Sequence, residues 1–265
     1  ANAYGQDSLP ESNFHRWRRT VELIFDITIA CNSNNEYYIA EMDKSHDADL
    51  HNRLLTIMGA NSLLKDSKNL RDKILFEPVP SGDKFLAPII EALRDEYAIQ
   101  ITHQGFGKAY PSTYLVEPYC LKMFKQRWYM LAYSPGTDDM RVYGLDRIHA
   151  LEPTRQRYKL PKVFDAEFYF RNHYGVSDMD MQPEEVEIKI EAYQANFLRT
   201  LPLHSSQVEV DRQEQFSIFR YYIAPSFDFR QELYKHGPVL EVLKPQWLRE
   251  EFRKNLAYQL SKYQN

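Results

Sequence analysis

The residues that could do chemistry in this sequence cluster between Phe124 and Leu151, in the stretch FKQRWYMLAYSPGTDDMRVYGLDRIHAL. Two segments of alternating apolar and polar residues are joined there by a polar turn, which is typical of paired strands. If the second segment is a regular strand, Arg141 and Arg147 share one face. Guanidinium groups bind phosphate oxygens in a bidentate way, and an aromatic ring such as that of Tyr129 stacks on a base. One polar surface lined by Tyr129, Arg141 and Arg147 would therefore suit an anionic ligand.

The same residues also fit a structural role. Arg147 follows Asp146 and could simply pair in a turn or an interface, and Arg141 could be a solvated edge residue. Trp128 is predicted to lie in the core, because its bulk suits burial. Three further residues are weaker candidates for the same ligand, since such residues are more often plain surface charge: His103, Lys122 and Arg127.

Enzymatic motifs are not found. The sequence contains no G-x-S-x-G, no glycine-rich phosphate loop, no H-E-x-x-H and no Cys/His cluster with metal-ligand spacing. We therefore predict that the protein is not an enzyme, with no catalytic residue, no metal site and no cofactor.

The composition is that of a globular protein, with 43% hydrophobic and 26% charged residues in 265. No apolar run approaches the roughly 20 residues that span a bilayer, so no membrane association is expected. The two cysteines, Cys31 and Cys120, are far apart in sequence, which favours a reducing, cytoplasmic setting.

Charge is unevenly distributed along the chain, although the net charge is only −4. Residues 120–162 contain nine basic and four acidic residues, a net charge of +5. Residues 165–193 contain two basic and eight acidic residues, a net charge of −6. A basic module followed by an acidic stretch is an asymmetry that suits an anionic partner, or it is surface charge that happens to cluster.

The N-terminal segment, residues 1–42, combines a basic amphipathic helix with the strands DITIAC and EYYIAEM, joined by the turn NSNN. This order matches the end of a winged helix-turn-helix, but the helix that should precede the recognition helix is missing. We expect the chain to begin inside a longer protein. The predicted contacts to DNA phosphates or base edges are Ser12, His15, Arg16, Arg18 and Arg19.

The rest of the chain is predicted to be α+β. Residues 43–80 are predicted to be a helical linker, and residues 81–162 a helix with four or five short strands, which suggests a small barrel. Residues 163–182 are predicted to form a helical bridge. Residues 183–265 follow the order β-α-β-β-α-β, the ferredoxin-like arrangement, and end in a helix.

Several of these segments together resemble a WYL domain. Trp128-Tyr129-Met130 stands at the name-giving motif, with Met in place of the usual Leu, and the matching segments are VEPYCLKMFKQRWYM, RVYGLDRIHALEPT and LAPIIEALRDEYAIQITHQ. LPLHSSQ and GPVLEVLKPQWLREEF resemble the C-terminal extension of such proteins, and SNFHRWRRTVELIFDITI resembles their recognition helix. His103 departs from the pattern, which often has an aromatic residue there.

The resemblance implies a transcriptional regulator whose WYL domain is an SH3/Sm-like barrel that senses a ligand. The expected partners are double-stranded DNA in the full-length protein and a nucleotide or single-stranded nucleic acid as effector. Because operator symmetry usually mirrors a protein dimer, a homodimer is expected. Two alternatives stay open: an accessory module that binds single-stranded nucleic acid, and an oligomerisation scaffold in which both arginines form interface ion pairs.

Overall fold

The computed structural model describes Arg18 and residues 27–32, 37–42 and 79–264. The chain divides into two compact units, residues 1–77 and 78–265. It has an α+β fold with several antiparallel sheets, as the sequence predicts. Within the described ranges, no helix is long and apolar enough to cross a membrane.

The first unit contains the predicted hairpin. Strands β1 (Ile27–Cys31) and β2 (Tyr37–Met42) pair in antiparallel register. Arg18 is helical, and its guanidinium carbon lies 6.0 Å from the centroid of the Tyr37 ring. The predicted helical linker over residues 43–80 lies outside the described residues except at its end, as do four of the predicted DNA contacts: Ser12, His15, Arg16 and Arg19.

The second unit begins with helix α1 (Leu86–Asp95) and a five-stranded antiparallel sheet. The strands are β3 (Tyr97–His103), β4 (Ser112–Phe124), β5 (Arg127–Ser134), β6 (Asp139–Gly144) and β7 (Ile148–Arg157). Their order in the sheet is β6-β5-β4-β3-β7. The strand that comes first in the chain, β3, therefore pairs with the one that comes last, β7. A short 3₁₀ helix, Leu145–Arg147, connects β6 to β7.

The core of this part forms between α1 and the inward faces of the strands. Its side chains are Ile89, Ala92, Ile99, Ile101, Val116, Met130, Ala132, Tyr143, Leu145 and Ile148. Trp128 packs against the same cluster, as predicted from its bulk. Every second residue of β5 faces this core, so the residues between them, Arg127, Tyr129, Leu131 and Tyr133, project from the opposite face.

A bridge connects the five-stranded sheet to the C-terminal part. The sequence predicts a helical bridge over residues 163–182, but α2 covers only Ala166–Phe170. Asp165 caps α2 by accepting a hydrogen bond from the Phe168 backbone N–H. Beyond it the chain is irregular, and the Asp228 carboxylate accepts hydrogen bonds from the backbone N–H groups of Val176 and Ser177.

The C-terminal part follows the order β-α-β-β-α-β. It consists of β8 (Glu184–Glu191), α3 (Ala192–Thr200), β9 (Val208–Arg212), β10 (Phe216–Ile223), α4 (Phe227–Lys235) and β11 (Leu240–Lys244), followed by α5 (Gln246–Ser261). The antiparallel sheet has the order β11-β8-β10-β9. Gly237 follows α4 with φ 59°, the left-handed conformation expected of a residue that ends a helix.

Candidate functional site

Three residues form a row across the five-stranded sheet. The register pairs Lys122 of β4 with Tyr129 of β5, and Tyr129 with Gly144 of β6. Directly opposed residues in antiparallel strands face the same side of the sheet. Lys122 and Tyr129 therefore lie side by side on the face opposite the core. Gly144 has no side chain, so β6 places none beside Tyr129.

The open position beside Tyr129 is filled by the 3₁₀ turn that follows β6. A Cβ atom on Gly144 would lie 2.6 Å from Asp146 Oδ1 and 2.8 Å from Arg147 Nε. The turn thus folds the Asp146 carboxylate and the Arg147 guanidinium back over Gly144, next to Tyr129. The predicted regular alternation through Arg147 is wrong, because the strand ends at Gly144.

Two arginines converge on the Asp146 carboxylate from different sides. Arg127 Nη1 lies 3.3 Å from Asp146 Oδ2, and Arg147 Nε lies 3.4 Å from Asp146 Oδ1. The carboxylate is only 8% exposed, whereas both guanidinium groups remain partly open to solvent. One acidic side chain therefore orients two cations and leaves the group with a net positive charge.

Tyr129 lies within the field of this charged group. Burial raises the pKa of its hydroxyl, the charges of Arg147 and Arg127 lower it, and Asp146 and Asp228 raise it. The phenol therefore stays protonated near neutral pH and can donate a hydrogen bond. We use the term basic face for the four residues gathered here: Lys122, Arg127, Tyr129 and Arg147.

Lys122 joins the basic face to the bridge. Its Nζ donates a hydrogen bond to the Gly175 carbonyl oxygen at 2.7 Å and lies 4.0 Å from the centroid of the Phe170 ring. Burial lowers its pKa to about 8, against the attraction of the Asp228 carboxylate. The ammonium group is thus held at the edge of the basic face, where the C-terminal part begins.

A second contact to the C-terminal part starts from the turn between β4 and β5. Lys125 and Gln126 form this two-residue turn with φ 47° and 63°, a conformation that favours glycine. Lys125 Nζ lies 2.8 Å from Glu232 Oε2 on α4, and Lys235 Nζ lies 3.0 Å from the other carboxylate oxygen. A lysine at this turn therefore costs backbone strain but supplies a direct ion pair between the two parts of the unit.

Arg141 does not belong to the basic face. The register pairs it with Ala132, a buried residue on the core side of β5, so Arg141 and Tyr129 lie on opposite faces. Its Nε lies 3.6 Å from the exposed Asp139 carboxylate, which matches the alternative of a solvated edge residue. The prediction of a shared surface is wrong for Arg141, because cross-strand register decides which strand residues meet.

His103 lies near the basic face but packs toward the core. Its ring meets that of Tyr143 edge-on, with centroids 5.3 Å apart, and Nε2 is buried without a hydrogen-bond partner among the described residues. Burial, followed by the charge of Arg147, lowers the pKa of the imidazole. At neutral pH His103 is therefore uncharged and adds no cation for an anionic ligand.

Sequence reasoning missed the loop that adjoins Arg147. The loop QGFGKAYP, residues 104–111, places the Phe106 ring 4.4 Å from the Arg147 guanidinium carbon. Its signal in the sequence is two aromatic residues close to two glycines and a lysine. Phe106 and Tyr110 are each 81% exposed, so neither ring contributes to the core.

The positive charge of the basic face suits an anion rather than a metal cation. Within the described ranges, no group of three His, Cys, Asp or Glu residues is placed to hold a metal ion. Both cysteines are free, with Cys31 exposed and Cys120 partly buried, and burial raises the pKa of the Cys120 thiol to about 11. Cys120 is therefore a protonated thiol at neutral pH rather than a nucleophile.

Comparison with known proteins identifies two domains in this chain. Residues 84–153 match the WYL domain, and residues 182–257 match the WCX domain. All four residues of the basic face and loop 104–111 lie within the WYL match, while Glu232 lies within the WCX match.

Solved structures give distant similarities. Proteasome accessory factor B/C (PafBC) of Arthrobacter aurescens is 18% identical with a TM-score of 0.32, over 71% of this chain and 29% of that chain. A CRISPR Cas-related protein is 13% identical with a TM-score of 0.43, over 97% of this chain and 75% of that chain. The chain thus spans less than a third of the PafBC chain's length. No curated protein sequence matches it.

Proposed function

We propose that this chain is part of a ligand-responsive, DNA-binding transcriptional regulator whose WYL domain senses an anionic effector. The effector class is a nucleotide or a single-stranded nucleic acid. The observation that carries the proposal is the convergence of Lys122, Arg127 and Arg147 beside Tyr129 on one face of the WYL domain. Guanidinium forks and an ammonium group suit phosphate oxygens, and a phenol adds a donor.

The proposal includes finer assignments of fold. Pairing of the first and last strands, the long β4 and the 3₁₀ turn before β7 support an SH3/Sm-like barrel. The strand order β11-β8-β10-β9 supports a ferredoxin-like unit, and the hairpin of β1 and β2 supports the wing of a winged helix-turn-helix. DNA contact is assigned to the helix that contains Arg18.

The signal in this proposal passes through the junction between the WYL and WCX domains. Lys122 contacts the Gly175 carbonyl, and Lys125 pairs with Glu232. An anion that engages Lys122 competes with the Gly175 contact and so acts on the bridge that joins the two domains. In a homodimer bound to a symmetric operator, such a change would alter DNA affinity, which is the coupling that defines allostery.

The test of the effector site is anisotropy titration of fluorescein-labelled single-stranded DNA at two salt concentrations. The wild type is compared with Arg127→Gln plus Arg147→Gln, because glutamine can still donate to Asp146. Each charged hydrogen bond contributes about 1.5–3 kcal/mol, so we expect at least about 100-fold weaker binding. The slope of log K against log salt should become shallower by about 0.7 for each phosphate that the variant no longer neutralises.

Arg141→Gln is the control, since it makes the same substitution at one arginine of the neighbouring strand, on the other face of the sheet. It should bind within about twofold of the wild type if the basic face is the site. An equal loss in Arg141→Gln and in the double variant would contradict the proposed site. The regulatory step is tested by operator affinity of the full-length protein with and without effector: effector binding that leaves this affinity unchanged would instead favour the accessory-module function.

A further inference from the structure

Loop 104–111 of the WYL domain holds an exposed aromatic ring against the basic face. The Phe106 ring centroid lies 4.4 Å from the guanidinium carbon of Arg147, yet the residue is 81% exposed. A phenylalanine that served to bury apolar surface would not remain so open to water. The contact between Phe106 and Arg147 leaves most of the Phe106 ring exposed beside the basic face, where an anion would bind.

The loop is tied to the chain around Arg147. The Gln104 backbone N–H donates to the Arg147 carbonyl oxygen at 3.1 Å, so the first residue of the loop is anchored to the end of the 3₁₀ turn. The Gln104 side-chain amide donates to the carbonyl oxygens of Lys108 and Ala109, at 3.1 and 3.3 Å. These bonds close the loop on itself and fix the spacing between Phe106 and Arg147.

The loop also carries polar and aromatic groups that add to such a site. Lys108 has no salt-bridge partner within residues 79–264, and its backbone N–H closes a turn onto the Gly105 carbonyl at 3.0 Å. Tyr110, near the end of the loop, is as exposed as Phe106. The loop thus carries two exposed aromatic rings, one of them stacked on Arg147, and a lysine next to the basic face.

We propose that loop 104–111 is the base-binding element of the effector site, with Phe106 stacking on an unpaired nucleobase whose phosphate lies on the basic face. The inference rests on the proposed function and adds to it the element that binds the base. A duplex keeps its bases stacked inside and cannot offer one to Phe106, and an anion without an aromatic part gains nothing from the ring. The ligand is therefore a nucleotide unit with a free base.

The experiment separates base binding from phosphate binding with two labelled probes of about ten nucleotides. One is oligothymidylate and the other is an abasic strand of the same length, which has the phosphates but no bases. Stacking on an aromatic residue contributes about 1–3 kcal/mol per base, so Phe106→Leu should bind oligothymidylate about 5- to 150-fold more weakly. The affinity of Phe106→Leu for the abasic strand should stay within about twofold of the wild type. Phe106→Trp, which keeps an aromatic ring, should bind oligothymidylate as the wild type does.

The control variant is Tyr258→Leu, which removes another exposed aromatic ring with a cation above it, Lys262 at 4.5 Å, on α5. It should bind both probes as the wild type does. The inference is overturned if Phe106→Leu binds oligothymidylate normally, if it loses both probes equally, or if the wild type does not distinguish the probes. These outcomes leave phosphate binding by the basic face intact, whereas a wild type that binds neither probe would overturn the proposed single-stranded nucleic-acid effector as well.

Discussion

Replacing Glu232 with glutamine tests how firmly the WYL and WCX domains are joined. The Glu232 side chain is 6% exposed, and its two carboxylate oxygens lie 2.8 and 3.0 Å from the ammonium groups of Lys125 and Lys235. Burial opposes its ionisation, but hydrogen bonds from Lys125, Lys235 and Tyr174 outweigh burial and lower the pKa to about 2. Glutamine keeps the shape and removes the charge.

The size of the effect follows from the difference between a pKa of 4.5 for the ordinary carboxyl group and about 2 in the folded chain, which corresponds to about 3 kcal/mol. Lys125 and Lys235 are 53% and 72% exposed, so solvent screening reduces the contribution to about 1–2 kcal/mol. Because the folded pKa is lowered, this stabilisation is complete above pH 4.5. It is lost progressively as the pH falls through the folded value near 2.

Urea unfolding of the wild type and Glu232→Gln at pH 7 and pH 3, followed by tryptophan fluorescence, measures this contribution. We expect the variant to be about 1–2 kcal/mol less stable at pH 7 and to approach the wild type at pH 3. Glu185→Gln is the matched control, since its carboxylate pairs with Lys244 and Arg220 on an exposed surface and should change stability by less than about 1 kcal/mol. A Glu232→Gln deficit that is absent at pH 7, or that is equally large at pH 3, would refute the reasoning.

Three further outcomes are expected from the same geometry. Gly144→Ala should displace the Asp146 and Arg147 side chains and lower the free energy of unfolding in urea by about 1–3 kcal/mol. It should also weaken oligonucleotide binding, as measured by anisotropy. An unchanged affinity would show that binding does not depend on where the turn places these two side chains. Because the pKa of Lys122 is about 8, wild-type binding should weaken between pH 7 and pH 9 as the ammonium group loses its proton, and Lys122→Met should lack this pH dependence. His103→Phe should leave binding at pH 7 unaltered, because burial lowers the pKa of the imidazole and keeps it uncharged there; a large change in affinity at pH 7 would place His103 in the site.

The sequence predicts the elements of the second unit well because their apolar periodicity is strong. The helix α1, the hairpin of β4 and β5, and the β-α-β-β-α-β order all follow from alternating or helical spacing that the folded chain retains. For the bridge, the sequence predicts a longer helix than the five-residue α2. Its backbone is instead fixed by tertiary contacts, such as the Asp228 carboxylate bound to the N–H groups of Val176 and Ser177, and no local pattern encodes these.

The sequence indicates the segment that contains the candidate site, but it does not determine which residues of that segment lie together. Arg141 and Arg147 have the spacing of a shared strand face, yet a 3₁₀ turn begins at Leu145 and carries Arg147 around to the side of Tyr129. Arg141 stays on the other face because the register sets it opposite Ala132. Register and strand ends depend on partners far away in the chain, so a pattern within one segment cannot determine them.

The Asp146 carboxylate sets a condition on the proposed effector. It bonds to Arg127 and Arg147 at once, so in the free protein it keeps both guanidinium groups oriented and offsets their mutual repulsion. A small anion that displaced Asp146 would gain little, because it would replace a carboxylate that is already buried and paired. Several donors of Arg127 and Arg147 remain available beyond Asp146, because each guanidinium has five N–H groups. A ligand that uses these outer donors, together with Lys122 and the Phe106 ring, binds without displacing Asp146. This favours an extended ligand with several phosphates and a free base over a small anion such as a single phosphate.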